Sequence, residues 1–130
     1  MTALKEEYTP YLSPIYERKP RSVTALNVEG MTSYTDMVVI VEGGSKRQVT
    51  SLAEHLIKTM KTNKIQALGI EGVKDGEWAL LDFGHLIIHV FESGAKEFYD
   101  LEGLWSDAPK VDLSKFDALL TQGEDDDDDF

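Results

Sequence analysis

Three stretches of this 130-residue chain carry residue types that could do chemistry. Asp82-Phe83-Gly84 is the tripeptide with which kinases hold magnesium. His85 and His89 stand four positions apart, the spacing that puts two metal ligands on one helix face. Gly43-Gly44-Ser45 follows an apolar run and precedes a helical pattern, the arrangement in which a helix N-terminus receives phosphate. What each can do depends on the elements that position it.

The clearest element is residues 45–63. Val49, Leu52, Ala53, Leu56, Ile57 and Met60 repeat at helical spacing, and Ser45 with Gln48 forms a capping-box pattern in which each side chain would satisfy the other's backbone N–H. Lys58, Lys61 and Lys64 fall on its outer, C-terminal side, where the helix dipole favours cations. Residues 23–30 alternate as a strand, and the continuous apolar run 36–44 suits a strand buried on both faces. Residues 65–72, 77–84 and 85–92 read as three further strands, the last two joined by a type II′ turn at Gly84-His85. Residues 93–107 return to helical spacing, with Ser93 as the expected cap and Pro109 as the stop. Pro10, Pro14 and Pro20 interrupt residues 1–22, leaving room for a short helix at 15–19. Strand, helix, strand at 36–72 is expected to be a βαβ crossover. The fold class is therefore α/β: one domain with a mixed sheet of about five strands and helices packed on it.

This arrangement rules against the metal and kinase readings. Four residues along a strand span roughly 13 Å, too far for two bonds of about 2 Å to one ion. The kinase tripeptide lacks both the glycine-rich phosphate loop and the catalytic Asp with a downstream Asn. A nucleotidyltransferase-type site at Gly44-Ser45 would need a close Asp-x-Asp pair for magnesium. That spacing occurs only in the terminal aspartate run. No serine lies in a Gly-x-Ser-x-Gly elbow. The expectation is a non-enzyme with no cofactor and no metal. A nucleotidyltransferase-like nucleotide binder is the alternative from another class.

The formal charge is −11. Glu124 and the aspartates at 125–129 close the chain; without these six acids, 13 basic residues face 18 acidic ones. The run is expected to be a disordered, self-repelling solvating tail, with an RNA-mimicking or basic-protein-binding role as its alternative. Such a balance argues against dominant direct nucleic-acid binding and for a protein partner. The chain has no cysteine, no apolar run of the roughly 18 residues that a membrane span needs, and no signal-peptide order at its start. A cytoplasmic protein without membrane contact is the expectation.

In the hairpin, Phe83 should pair with Leu86, Leu81 with Ile88 and Ala79 with Val90, forming one apolar face. The opposite face then carries Trp78, Leu80 and Asp82 against Ile87, His89 and Phe91. His89 suits a satisfied structural role more than a binding one.

"TSYTDMVVIVEGGSKRQV", "EWALLDFGHLIIHVF" and "FYDLEGLWSDAP", in this order and spacing, resemble the ribosomal silencing factor family RsfS, also called Iojap. The resemblance spans 23–109, flanked by an irregular or short-helical segment 1–22 and a C-terminal extension 110–130. It implies a non-catalytic, nucleotidyltransferase-like fold that binds the large ribosomal subunit through its protein number fourteen. Bound there, the family blocks subunit joining and represses translation under nutrient limitation; organellar relatives act in ribosome assembly. The family usually begins with an uninterrupted helix, which Pro10 and Pro14 contradict here. A homodimer is compatible with the resemblance and with exposed strand edges. The expected partner-binding residues are Trp78, Leu80, Asp82 and His89 on the hairpin, extended by Tyr99 and Trp105. The competing reading of Trp78 is that it merely covers a second helix layer.

Overall fold

The computed structural model describes residues 1–95 and 100–127. The elements run α1 (Thr9–Glu17), β1 (Ser22–Asn27), β2 (Met37–Gly43), α2 (Lys46–Thr62), β3 (Gly69–Glu71), β4 (Trp78–Asp82), β5 (Leu86–Glu92), α3 (Leu101–Leu104) and α4 (Ser114–Asp127). A single 3-10 turn, Glu6–Tyr8, leads into α1. The five strands form one mixed sheet in the order β1-β2-β5-β4-β3. Only β2 and β5 pair in parallel; the other three pairings are antiparallel. The crossover through α2 therefore joins strands that are not neighbours, since β5 and β4 lie between β2 and β3. An interior position suits β2, whose alternate residues feed two different cores. Met37, Val39 and Val41 face the helices, while Val38 and Ile40 face the other side.

On the helix side, α2 lays Val49, Leu52, Ala53, Leu56 and Met60 onto the sheet, all fully buried. Each of the larger of these side chains contributes about 1.5–3 kcal/mol on leaving water. Ser45 caps the helix as expected, its Oγ accepting from the Gln48 N–H at 3.1 Å. The reciprocal half of the box differs: the Gln48 amide oxygen accepts from Gly44 N–H rather than from Ser45. The Gln48 Nε2 also donates to the carbonyls of Arg18 (3.2 Å) and Lys19 (2.9 Å), so one side chain ties the start of α2 to the end of α1.

Helix α1 is longer than expected and runs through both prolines. Pro10 lies in the first turn, where no backbone donor is needed. Pro14 costs α1 one backbone bond, but Tyr11, Leu12, Ile15 and Tyr16 are all buried against the core around it. That burial outweighs a proline penalty of about 3 kcal/mol. The C-terminal extension joins the same core through Val111, Leu113 and Phe116, with Phe116 stacked on Tyr16 at 5.1 Å and Tyr16 Oη donating to Asp117 at 2.7 Å. Burial and this carboxylate both push the Tyr16 hydroxyl pKa far above its ordinary value. Anchored in this way, α4 extends to Asp127, into the acidic run where the sequence suggested disorder.

On the other side of the sheet, Leu26, Val28, Val38, Ile40, Phe91 and Ala108 form a smaller core, onto which Trp78, Ala95, Leu101 and Trp105 pack. Ser93 was the expected cap of a segment whose residues 96–99 lie outside the described residues. Its Oγ donates to Glu42 Oε2 at 2.9 Å and accepts from Arg21 at 3.1 Å, while Asp100 caps α3.

Candidate functional site

The hairpin has the expected register: Trp78 opposite Phe91, Leu80 opposite His89, Asp82 opposite Ile87. Gly84 takes φ +90°, as the turn requires, and its N–H donates to Asp82 Oδ1 at 2.8 Å. That bond fixes the Asp82 carboxylate at the end of the strand, and no described residue forms a salt bridge with it. Ala79, Leu81, Phe83, Leu86, Ile88 and Val90 are buried toward the helices; Trp78, Leu80, Asp82, Ile87 and His89 are half-buried on the opposite face.

The outer face divides in two. At one end, Trp78 stacks on Phe91 with ring centres 5.1 Å apart, and Phe91 is fully buried rather than open to a partner. The Trp78 Nε1–H donates to His89 Nδ1 at 3.0 Å, which places the imidazole proton on Nε2. Burial pushes the His89 pKa down to about 4, so the ring is neutral at pH 7. Trp105 borders the same small core. The tryptophan is thus partly a structural cover and partly exposed. At the other end, toward the turn, Leu80, Ile87 and Asp82 lie beyond that covered core. Leu68, 76% exposed, joins them: its N–H donates to Asp82 O at 2.7 Å, and its side chain lies beside Gly84. Leu68 was missed in the sequence because "QALGIEG" reads as a plain strand, and nothing in it sets Leu68 apart from Ala67 or Ile70.

Of the expected contact residues, Trp78, Leu80, Asp82 and His89 share one face, and Trp105 adjoins it. Tyr99 lies outside the described residues. The two histidines point to opposite sides. His85 packs against Tyr8 and Tyr11 on the helix side, with ring centres 5.7 and 5.4 Å apart, while His89 binds Trp78 on the other. At the Gly44-Ser45 turn, Ser45 Oγ and the Gly44 N–H are both engaged by Gln48, so these groups serve as a cap.

This chain is also similar to known proteins. A family model described as "Ribosomal silencing factor during starvation" matches residues 3–129, almost the whole chain. The chain belongs to the ribosomal silencing factor family. The match takes in α1 and α4, beyond the central stretch that carried the sequence resemblance. Ribosomal silencing factor RsfS of Halalkalibacterium halodurans is 34% identical over 102 residues, covering 78% of this chain and 87% of that protein. A mouse protein named "Mitochondrial assembly of ribosomal large subunit protein 1" is 31% identical over 114 residues, covering 85% of this chain but 47% of its own length. A Bacillus halodurans crystal structure superposes with a TM-score of 0.74 at 31% identity, covering 83% of this chain and 98% of that one. A five-stranded mixed sheet with packed helices is accordingly a silencing-factor fold.

Proposed function

We propose that this protein is a non-catalytic ribosomal silencing factor of the cytoplasm. It binds the large ribosomal subunit through protein number fourteen, blocks joining of the small subunit and lowers translation when nutrients are short. The observation that carries this reading is a half-open apolar and acidic surface on a member of a silencing-factor family. Leu80, Ile87 and Leu68 supply apolar area around the fixed Asp82 carboxylate, which suits a Lys or Arg of a basic ribosomal protein. Trp78, held by His89 and Phe91, supplies a preorganised aromatic anchor at the other end. Trp105, and Tyr99 beyond the described residues, extend the surface.

Sucrose-gradient fractionation tests the reading. Co-migration with free large subunits and not with translating ribosomes is expected, and subunit joining in vitro should fall as the protein is added. Absence from the large-subunit peak would overturn it.

A second reading, a large-subunit assembly factor, is favoured by the name of the mouse relative. It differs in timing: an assembly factor would accumulate on immature particles, and its loss would raise their share. Self-association is a further proposal. The outer edge of β1 is occupied by residues 109–111, whereas β3 has no second strand partner among the described residues, with Ile70 and Leu68 exposed there. Light scattering that shows only monomer at high concentration would remove it.

A further inference from the structure

The basic residues of this acidic protein are segregated. Nine of its thirteen lysines and arginines fall between positions 18 and 74. Many of them converge on the solvent side of α2, the helix that covers the face of the sheet opposite the hairpin's outer surface. An open groove of about 1100 Å³ runs there, between the end of α1, the outer ridge of α2 and the β3–β4 loop. Arg18, Lys46, Arg47, Lys58 and Lys74 line it, with Glu54 and Asp75 as the acids among the described lining residues. Lys46, Arg47, Lys58 and Lys74 form no salt bridge with any described residue. Between the cations stand short hydroxyl and amide donors, including Ser51 and Asn63; the Thr50 hydroxyl also lines the groove but already donates to the Val73 carbonyl.

We infer that this groove is a second binding surface, for the phosphodiester backbone of structured RNA. Flexible cations interleaved with hydroxyl and amide donors are the groups that contact phosphate and sugar oxygens without reading base sequence. The shallow, open form suits a backbone laid along a helix more than an enclosed small molecule. Charge complementarity selects the occupant: five basic side chains against two acids gather on this one surface of a molecule of net charge −11. The inference rests on the proposed ribosomal reading. A protein partner on the hairpin face and RNA on the α2 face would hold the molecule from both sides and fix its orientation.

The test uses the full chain and a fluorescein-labelled RNA hairpin, read by anisotropy across a salt series, with poly-aspartate as competitor. The parent is expected to bind at low salt and to weaken as salt rises. Arg47→Glu/Lys58→Glu should lose about tenfold or more in affinity and flatten the salt slope by about two. Both residues are exposed on α2, so its melting temperature should match the parent's. Lys110→Glu/Lys115→Glu makes the same change in net charge away from the groove and should have a much smaller effect. Equal loss in the two double variants, or tighter capture of poly-aspartate than of RNA, would overturn the inference. Large-subunit pelleting separates it from the reading beneath it. If the parent pellets and Arg47→Glu/Lys58→Glu pellets equally well, the groove proposal falls and the silencing-factor reading stands. If the parent does not pellet, that reading falls first.

Discussion

The two faces of the β4–β5 hairpin alternate residue by residue along the same two strands, yet they answer to different constraints. The inner face is closed by α1 and α2, and every apolar side chain on it is buried. Among the described residues, the outer face is closed only over Phe91, by Trp78 and the segment around Leu101 and Trp105. Toward the turn it stays half-open. A pleated strand forces this comparison on neighbouring residues: Leu80 and Leu81 are chemically identical, and only the direction of Cβ separates a core position from a surface one. Identity of residue type therefore says little about role here; the layer that each face meets decides it.

The largest expected effect lies on the inner face. Leu81→Ala should cost about 3 kcal/mol of stability through lost burial and a residual cavity, whereas Leu80→Ala should cost less than about 1 kcal/mol. Denaturant unfolding of the two variants measures the contrast directly. Similar losses would mean that the outer face is core as well.

Trp78→Ala tests the region where the two roles overlap. It should weaken large-subunit binding by about 2 kcal/mol or more. It should also lower stability, because it uncovers Phe91 and removes the hydrogen bond to His89. Trp78→Phe separates the two: an aromatic ring stays on Phe91, while the Nε1–H bond, about 1 kcal/mol, goes together with part of the ring's contact area. Pelleting and melting curves on both variants sort binding from folding. Unchanged pelleting by a folded Trp78→Ala protein would reduce the tryptophan to a structural cover.

Asp82 gives a smaller, kinetic effect. Asp82→Asn keeps the acceptor for the Gly84 N–H and removes the charge, so it should slow association with little change in melting temperature. Asp82→Lys should slow it further by like-charge repulsion, by an amount that shrinks as salt is added. Salt-independent rates in stopped-flow mixing would show that the carboxylate does not steer a basic partner.

The last effect is absent at neutral pH and grows only on acidification. The His89 pKa of about 4 in the folded protein lies below the ordinary value of 6.5, because burial disfavours the imidazolium. The unfolded chain thus takes up the proton first. Stabilisation from the neutral ring is complete above about pH 6.5 and declines as pH falls toward about 4. Melting curves across this interval should show the decline in the parent and a shallower one in His89→Gln. Identical slopes would mean that His89 is already solvated.

Several of these features were legible without coordinates. The hairpin register followed from Gly84-His85 and period-two alternation, and α2 with its Ser45 cap followed from helical spacing. Both rest on contacts between residues close in sequence. Other features depended on distant partners. Proline pattern alone left only a short helix at 15–19; the burial of Tyr11, Leu12, Ile15 and Tyr16 holds α1 from Thr9 to Glu17. Gln48 completes a cap with Gly44 and then reaches 29 and 30 positions back to Lys19 and Arg18.

By itself, the sequence determined the order of the elements from β1 to β5 and the two faces of the β4–β5 hairpin, because periodicity and turn residues act locally, and its motifs carried the family resemblance. The tertiary structure alone decided the insertion of β5 between β2 and β4, the burial of Phe91 on a face expected to be open, and the bond that holds Trp78 to His89. Alternation states that a side chain points away from one core. It does not state whether a second layer will meet it there, since that depends on where residues far along the chain come to rest.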